Sequence, residues 1–235
     1  MARLPRLVIP GQPHHVMQHG NDSQLVFRDT DDYRMFLDWL REAARQFKVA
    51  IHAYALLPNR LHLLLTPSDR DGLARMMQWI GRQYVPYFNR KYGRTGTLWQ
   101  GRFKTVLMQA DHYFIMCSRY IELSPVAAGL ASAPVEYPWS SYAHHVGLKP
   151  DPLVSDHALY WALGNTPFER EAIYKAATEQ ALSHQETMLL DTIVTKGGVL
   201  GSEEFKAGLE RVANRRVRAA KRGRPFKVLA GQVTE

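Results

Sequence analysis

The sequence predicts an α+β fold in which helices cover one face of an antiparallel sheet and a helical C-terminal region follows. Two observations lead to this fold class. Over residues 12–123, apolar runs typical of strands alternate with amphipathic stretches in the order strand, helix, strand pair, helix, strand, helix. After several prolines between 134 and 152, the pattern becomes helical in short pieces. We therefore predict a domain at residues 1–150 and a helical region with a basic tail at 151–235.

Each element is placed by its apolar periodicity, which is 2 in a strand and 3.6 in a helix, and by the residues that bound it. In chain order the elements are a strand at 12–18, a helix at 29–47, strands at 49–57 and 61–65, a helix at 71–92, a strand at 103–108 and a helix at 112–123. Asp29 or Thr30 offers an N-cap for the first helix. We expect Pro86 to kink the second helix, Pro125 to end the third, and Gly197-Gly198 to separate two later helices.

The charge of the chain indicates a polyanionic partner. Its 30 Lys and Arg against 22 Asp and Glu leave a formal charge of +8, which suits nucleic acid or an anionic membrane surface. No apolar run approaches the roughly 20 residues that span a bilayer, and residues 1–11 lack the apolar stretch of a signal peptide. Cys117 is the only cysteine, which excludes an internal disulfide and a Cys-rich zinc site. We predict a cytoplasmic, nucleoid-associated protein; a basic metabolic enzyme stays an alternative.

Two polar residues, Arg60 and His62, stand on the strand that runs into Leu63-Leu64-Leu65. Alternate strand residues project to one face, so we expect these two side chains to point together. An edge-strand arginine and a histidine that is hydrogen-bonded to its neighbours would explain the pair equally well. The strand is therefore a candidate site only in combination with other features.

Tyr120 and Ser124 lie one helical turn apart, just before Pro125. A tyrosine in this position is usually a packing residue, and spacing alone does not single it out. Basic and aromatic residues also interleave around 90–104, a pattern that suits single-stranded DNA because bases stack on rings while phosphates meet cations. The candidate DNA-binding residues in this segment are Arg90, Lys91, Arg94, Trp99, Gln100, Arg102 and Lys104.

The C-terminal tail contains Lys221-Arg222-Gly223-Arg224-Pro225, in which Arg222 and Arg224 flank a glycine. Such a string resembles a short hook that enters the minor groove of A·T-rich DNA. A solubilising tail would have the same composition, so both interpretations stay open.

Four motifs follow one another along the chain. They are Pro58-Asn59-x-x-His62-Leu-Leu-Leu, Leu98-Trp99-Gln100-Gly101-Arg102-Phe103-Lys104, Tyr120-Ile-Glu-Leu-x-Pro125-Val-x-Ala-Gly129-Leu130 and Tyr137-Pro138-Trp139-Ser140-Ser141-Tyr142. In this order they resemble the REP-associated tyrosine transposases, a group of single-tyrosine HUH transposases with an IS200-like domain. The resemblance covers roughly residues 5–150, and His15-Val16 with Gly20-Asn21 looks like the opening of that family.

The resemblance implies a ferredoxin-like fold of the HUH endonuclease type. In such enzymes a His-hydrophobic-His strand and a polar residue one turn after a tyrosine hold a divalent ion, Mg²⁺ or Mn²⁺. The tyrosine attacks a phosphate of single-stranded DNA that carries a REP-type hairpin, giving a 5′-phosphotyrosine and a free 3′-OH. Carried over to this sequence, the nucleophile is Tyr120 and one metal ligand is His62. The resemblance also favours a monomer, with a dimer left open.

This sequence departs from the family pattern at two of the three ligand positions. Arg60 stands at the first histidine position and offers only hydrogen-bond donors, while Ser124 is a poor neutral ligand for a hard cation. Either Arg60 replaces the metal and clamps the phosphate, or the protein binds hairpins without cleaving them. Histidines 14, 15, 19 and 52 could supply replacement ligands only if they converge. Binding of RNA hairpins is a third, weaker alternative.

Overall fold

The structure is a computed structural model that describes residues 6–214 and residue 217. The strands are β1 (His14–His19), β2 (Val49–Leu57), β3 (Arg60–Pro67), β4 (Lys104–Met108) and β5 (Gly198–Leu200). The helices are α1 (Thr30–Gln46), α2 (Gly72–Lys91), α3 (Ala110–Ala127), α4 (Tyr142–His145), α5 (Ala158–Trp161), α6 (Pro167–Glu179), α7 (His184–Lys196) and α8 (Glu203–Ala213). Each element predicted before residue 124 is present, and Asp29 caps α1 by accepting hydrogen bonds from the N–H groups of Asp31 and Asp32.

The sheet has the strand order β2-β3-β1-β4-β5. The first four strands pair antiparallel, in the order expected of a ferredoxin-like βαββαβ unit. The fifth, β5, pairs parallel to β4, so the complete sheet is mixed. Gly197-Gly198 was expected to separate helices, but it leads from α7 into β5 instead. Both glycines have positive φ angles, of 74° and 134°, which let the chain turn back from the helix onto the sheet edge.

Helices cover both faces of the sheet, which corrects the prediction of helices on one face while leaving the α+β class confirmed. On one face, α1 and α2 pack against residues such as Tyr54 and Leu56 of β2. On the other, α3 and α7 pack against Ala55 and Leu57 of the same strand. The reason is visible in β2, where the apolar run leaves neither face polar.

The third helix continues through Pro125 to Ala127, whereas the sequence predicted that Pro125 would end it. Proline has no N–H to donate to the carbonyl four residues earlier, which here belongs to Ile121. The Ser124 hydroxyl donates to that carbonyl at 2.6 Å and takes the place of the missing backbone bond. Helix α2 likewise continues through Pro86.

A buried polar network ties the C-terminal helices to α3. Glu122 is fully buried and accepts hydrogen bonds from Ser141, from His145 at 2.6 Å and from the Tyr174 hydroxyl at 2.7 Å. These partners come from α4, α6 and the turn before α4, so one carboxylate holds three segments together. The domain boundary near residue 150 stays a prediction. None of the helices in the described part of the chain has the length and apolar character needed to cross a bilayer.

Candidate active site around Tyr120

A cavity of about 530 Å³ opens between the sheet, the second half of α3 and α7. Arg60 and His62 line it from β3, and His19 lines it from β1, where it pairs with Arg60. Tyr120 lines it from α3 and Asp191 from α7. The expectation that side chains 60 and 62 share one face is therefore confirmed, and the fold brings both to Tyr120.

The Tyr120 hydroxyl donates a hydrogen bond of 2.6 Å to Asp191 Oδ1. Burial raises the pKa of this tyrosine above its ordinary value of 10, and the bond to the Asp191 carboxylate raises it further, while the positive charge of Arg60 acts in the opposite direction. Asp191 was missed in the sequence because its contact with Tyr120 spans 71 residues. The polar group nearest the candidate nucleophile thus comes from the C-terminal region.

His62 and Tyr120 form a ring cluster with His15 of β1. His15 Nε2 and His62 Nδ1 lie 3.0 Å apart, and the ring centroids of His15 and His62 are 5.9 Å and 6.1 Å from that of Tyr120. Burial lowers the pKa of His15 to about 3 and that of His62 well below the usual 6.5. Both rings are therefore neutral at neutral pH.

Arg60 brings a positive charge into the cavity that no carboxylate neutralises among the residues the structure describes. Its hydrogen-bond partner there is Asn59 Oδ1, at 3.4 Å, and none of the salt bridges involves it. Besides burial, its charge contributes to lowering the pKa values of His19 and His62. A guanidinium that keeps free donors inside a cavity is suited to bind an oxyanion.

The residues present do not fit a divalent cation of the kind the family resemblance implies. Arg60 offers no lone pair. The Ser124 hydroxyl donates a hydrogen bond to the Ile121 carbonyl of its own helix, so the presence of a serine at this position is explained without a metal. Within residues 6–214 and 217, no group of three or more His, Cys, Asp or Glu side chains converges in a way that could hold a metal ion.

The other histidines do not converge on the cavity as a replacement ligand set. His14 bonds to Gln12 O at 2.7 Å, and His52 bonds to Ser155 O and Thr66 Oγ1 at 2.6 and 2.9 Å, so both serve the fold. His19 does line the cavity, beside Arg60. The approach of His15 to His62 is a pairing that the sequence did not indicate.

Some of the predicted DNA-binding side chains are exposed and others are committed to the fold. The exposed ones are Arg90, Lys91, Gln100, Arg102 and Lys104, although Lys91 is also bound to carboxylates of the protein. Lys104 pairs with Met17 across the sheet and therefore lies on the face of the cavity. Arg222 and Arg224 lie outside the described residues.

Trp99 cannot serve as a base-stacking platform, which corrects that prediction. Its exposure is 8%, and its ring packs against Phe36 and Tyr84 in the core. Lys91 bonds to Asp29 and Asp32 at 2.7 and 3.0 Å. These contacts make it part of the junction between α1 and α2.

Arg94 is also engaged within the protein, through bonds to Gln24 and Asn89 at 2.6 and 3.4 Å. Neither of these partners is charged, so the cation itself is not neutralised by them. Arg94 therefore combines a role in the fold with a charge that a phosphate could still meet.

Comparisons with known proteins show what this chain is similar to. The family model "Transposase IS200 like" matches residues 11–124. A protein of Haemophilus influenzae described as "Putative REP-associated tyrosine transposase" is 24% identical over 127 residues, which cover 50% of this chain and 72% of that protein. A solved structure of a REP-associated tyrosine transposase bound to a REP hairpin matches with a TM-score of 0.54 and 21% identity, covering 67% of this chain and 92% of the other. The resemblance drawn from the motifs is confirmed, and the structural likeness confirms the fold.

Proposed function

We propose that this chain, which is similar to the IS200-like transposases over residues 11–124, binds hairpin-bearing single-stranded DNA and cleaves and rejoins it through Tyr120. One observation carries the proposal. The Tyr120 hydroxyl lines a cavity together with Arg60, which has free donors for a phosphate, and Asp191, which accepts a hydrogen bond from that hydroxyl. A nucleophile, an anion-binding group and a proton acceptor are thus within one cavity.

In the proposed reaction, Tyr120 Oη forms a bond to a DNA phosphorus atom while the bond from phosphorus to the 3′ oxygen breaks. The hydroxyl proton passes to the Asp191 carboxylate, and the departing 3′ oxygen takes a proton from water. Arg60 stabilises the charge that develops on the phosphate oxygens. The products are a 5′-phosphotyrosine and a free 3′-OH, and the reverse attack by a 3′-OH rejoins the strand.

The DNA partner is proposed from the charge of the chain and from a relative. The matched structure is of a transposase bound to a REP hairpin, and we extend that class of ligand to this chain. The exposed side chains Arg90, Arg102 and Lys104 are proposed to contact the phosphate backbone. Affinity should then fall as salt concentration rises, because each phosphate contact releases counterions.

The test is a covalent adduct between the protein and a hairpin oligonucleotide labelled at its 3′ end, the part of the strand that a 5′-phosphotyrosine retains. Incubation followed by denaturing electrophoresis should give a labelled protein band. Tyr120→Phe should abolish the band, whereas Tyr113→Phe, on the same helix, should keep it. Absence of a band under every buffer and metal condition would rule out the proposed cleavage.

A second function, hairpin binding without cleavage, is favoured by a different observation. The bond to Asp191 and the burial of Tyr120 raise the pKa of the hydroxyl and make it a weaker acid than free tyrosine. This alternative expects tight, salt-dependent hairpin binding that Tyr120→Phe leaves unchanged and no adduct at all. Binding that does not change between low and physiological salt would contradict both functions.

A further inference from the structure

The direction of the hydrogen bond between His15 and His62 determines what His62 offers to the cavity. A neutral imidazole carries one N–H and one lone pair. The 3.0 Å contact between His15 Nε2 and His62 Nδ1 is a hydrogen bond, so one of these nitrogens is the donor and the other is the acceptor. Either histidine can be the donor, and the two cases place the N–H of His62 on different ring nitrogens, Nδ1 or Nε2.

The second ring nitrogen of His15 decides between the two cases. His15 Nδ1 is buried and has no hydrogen-bond partner among the residues that the structure describes. The cross-strand neighbours of His15 are Leu64 and Val106, whose side chains are apolar. If His62 were the donor, His15 would carry its proton at Nδ1 and would bury an N–H without an acceptor, which native proteins almost always avoid. His15 is therefore the donor, from Nε2, and its unpaired nitrogen holds only a lone pair.

This direction fixes His62 with its proton on Nε2. His62 Nδ1 accepts from His15, and His62 is one of the residues that line the cavity, so its Nε2 is the ring nitrogen left for a ligand there. A histidine that ligates a metal must present a lone pair there, whereas this one presents an N–H. The adjacent guanidinium of Arg60 also presents N–H groups only. Both polar groups that β3 contributes to the cavity are hydrogen-bond donors.

We propose, building on the proposed function, that the cavity binds a DNA phosphate directly through Arg60 and the Nε2–H of His62, with no divalent cation between them, and that His15 is the positioning residue that sets this arrangement. The charges of the cavity agree with an anion on the β3 side. Lys104 lies on the same face of the sheet as His62, and the carboxylate of Asp191 stands on the opposite wall, where it binds Tyr120. An anion held at β3 is thus on the side of the cavity that Arg60 lines, with Lys104 on the same face of the sheet.

The tautomer can be measured directly on the full chain labelled with ¹⁵N-histidine. Long-range ¹H–¹⁵N spectra distinguish a protonated from an unprotonated ring nitrogen, and loss of one signal set in His62→Gln assigns the residue. We expect protonated Nε2 and unprotonated Nδ1 at His62, and the same at His15. A proton on Nδ1 of His62 would overturn the proposal. His52→Gln serves as the control, because His52 is buried with other partners, and it should leave the His62 signals in place.

Ligand binding gives a second readout with inorganic phosphate and Mn²⁺ as probes. In the presence of EDTA, phosphate should shift the His62 Nε2 signal, and Arg60→Gln should raise the apparent Kd at least about tenfold. His15→Phe should leave His62 as a mixture of tautomers. Broadening of the His62 signals by Mn²⁺ without any response to phosphate would overturn the proposal. These results are independent of strand cleavage, so a missing covalent adduct would reject the proposed function and leave this binding mode standing.

Discussion

At the scale of single residues, Arg60 and Ser124 stand where the family pattern has metal ligands, and each has a different role in this protein. Arg60 places free donors in the cavity, and Ser124 repairs the backbone beside Pro125. The sequence identified both substitutions, because Arg cannot ligate a cation whatever its surroundings. The role of Ser124 depends on the direction of its hydroxyl, which no spacing rule supplies.

Ser124→Ala should lower the free energy of unfolding by about 1 kcal/mol, since the Ile121 carbonyl would lose the 2.6 Å bond that replaces the missing N–H of Pro125. Urea denaturation of the purified variant measures this. Ser124→Thr keeps a hydroxyl at the same position and should retain most of the stability. A variant Ser124→Ala with unchanged stability but a lost metal response would instead identify Ser124 as a ligand.

At the scale of elements, the strands and long helices followed from periodicity, and the contacts of α7 did not. The strand β2 was predicted with the bounds Val49–Leu57 that the structure has, because eight of its nine residues are apolar or aromatic. The strand β5 has three residues, too few for any pattern, and it is specified by pairing with β4. The placement of α7 over Tyr120 depends on Leu190 and Val194 packing against the α3 face of the sheet.

Asp191→Asn tests what α7 contributes to the nucleophile. Removal of the carboxylate should move the pKa of Tyr120 down toward its ordinary value, because one of the groups that raise it is lost. It should also reduce adduct formation by about 10²-fold or more, if Asp191 accepts the proton. Single-turnover adduct kinetics and tyrosine NMR titration measure the two effects. Glu204→Gln, an exposed change on α8, is the charge control, and equal rates for both variants would contradict the assigned role.

Two neighbouring basic residues near the junction of α1 and α2 are expected to have different roles, Lys91 in the fold and Arg90 in DNA binding. Lys91 contacts Asp32, whose side chain is fully buried, and Lys91→Met should lower the free energy of unfolding by about 1–2 kcal/mol while changing hairpin affinity little. Arg90→Met removes the same charge from the neighbouring residue and should weaken hairpin binding while changing the free energy of unfolding little. Urea denaturation and a hairpin-binding titration measure both. If Lys91→Met weakened binding more than Arg90→Met, the assignment of Lys91 to the fold would be wrong.

At the scale of the whole molecule, buried neutral histidines make the fold sensitive to acid. Burial lowers the pKa values of His14 and His52 to about 4 and that of His15 to about 3, against 6.5 in the unfolded chain. Below pH 6.5 the unfolded state binds protons that the folded state excludes, so this stability is complete above pH 6.5 and is lost as the pH falls toward 4.

As the pH falls from 7 to 5, each of these histidines should lower the free energy of unfolding by about 2 kcal/mol. Urea denaturation across that range measures the slope. His52→Gln should reduce the slope by one histidine's share. A slope that His52→Gln leaves untouched would show that His52 is protonated in the folded protein.

The candidate site as a whole could be predicted only in part. The ordered motifs placed Tyr120, His62 and Arg60 together, because the family resemblance assigns all three positions to one site; Arg60 and His62 lie on β3 and Tyr120 lies on α3. His15 and Asp191 were not assigned, because their roles depend on a contact across the sheet and on one made by a distant helix. Trp99 was misassigned because an aromatic residue between cations has the same pattern whether its ring is exposed or buried.

The yield of covalent adduct in EDTA tests most directly whether Tyr120 attacks a phosphate that protein side chains alone hold. A hairpin oligonucleotide labelled at its 3′ end is incubated with the full chain in EDTA, in Mg²⁺ and in Mn²⁺, alongside Tyr120→Phe. We predict a labelled protein band of similar intensity in all three conditions and none with Tyr120→Phe. An adduct that forms only with the divalent ions, or none in any condition, would contradict this.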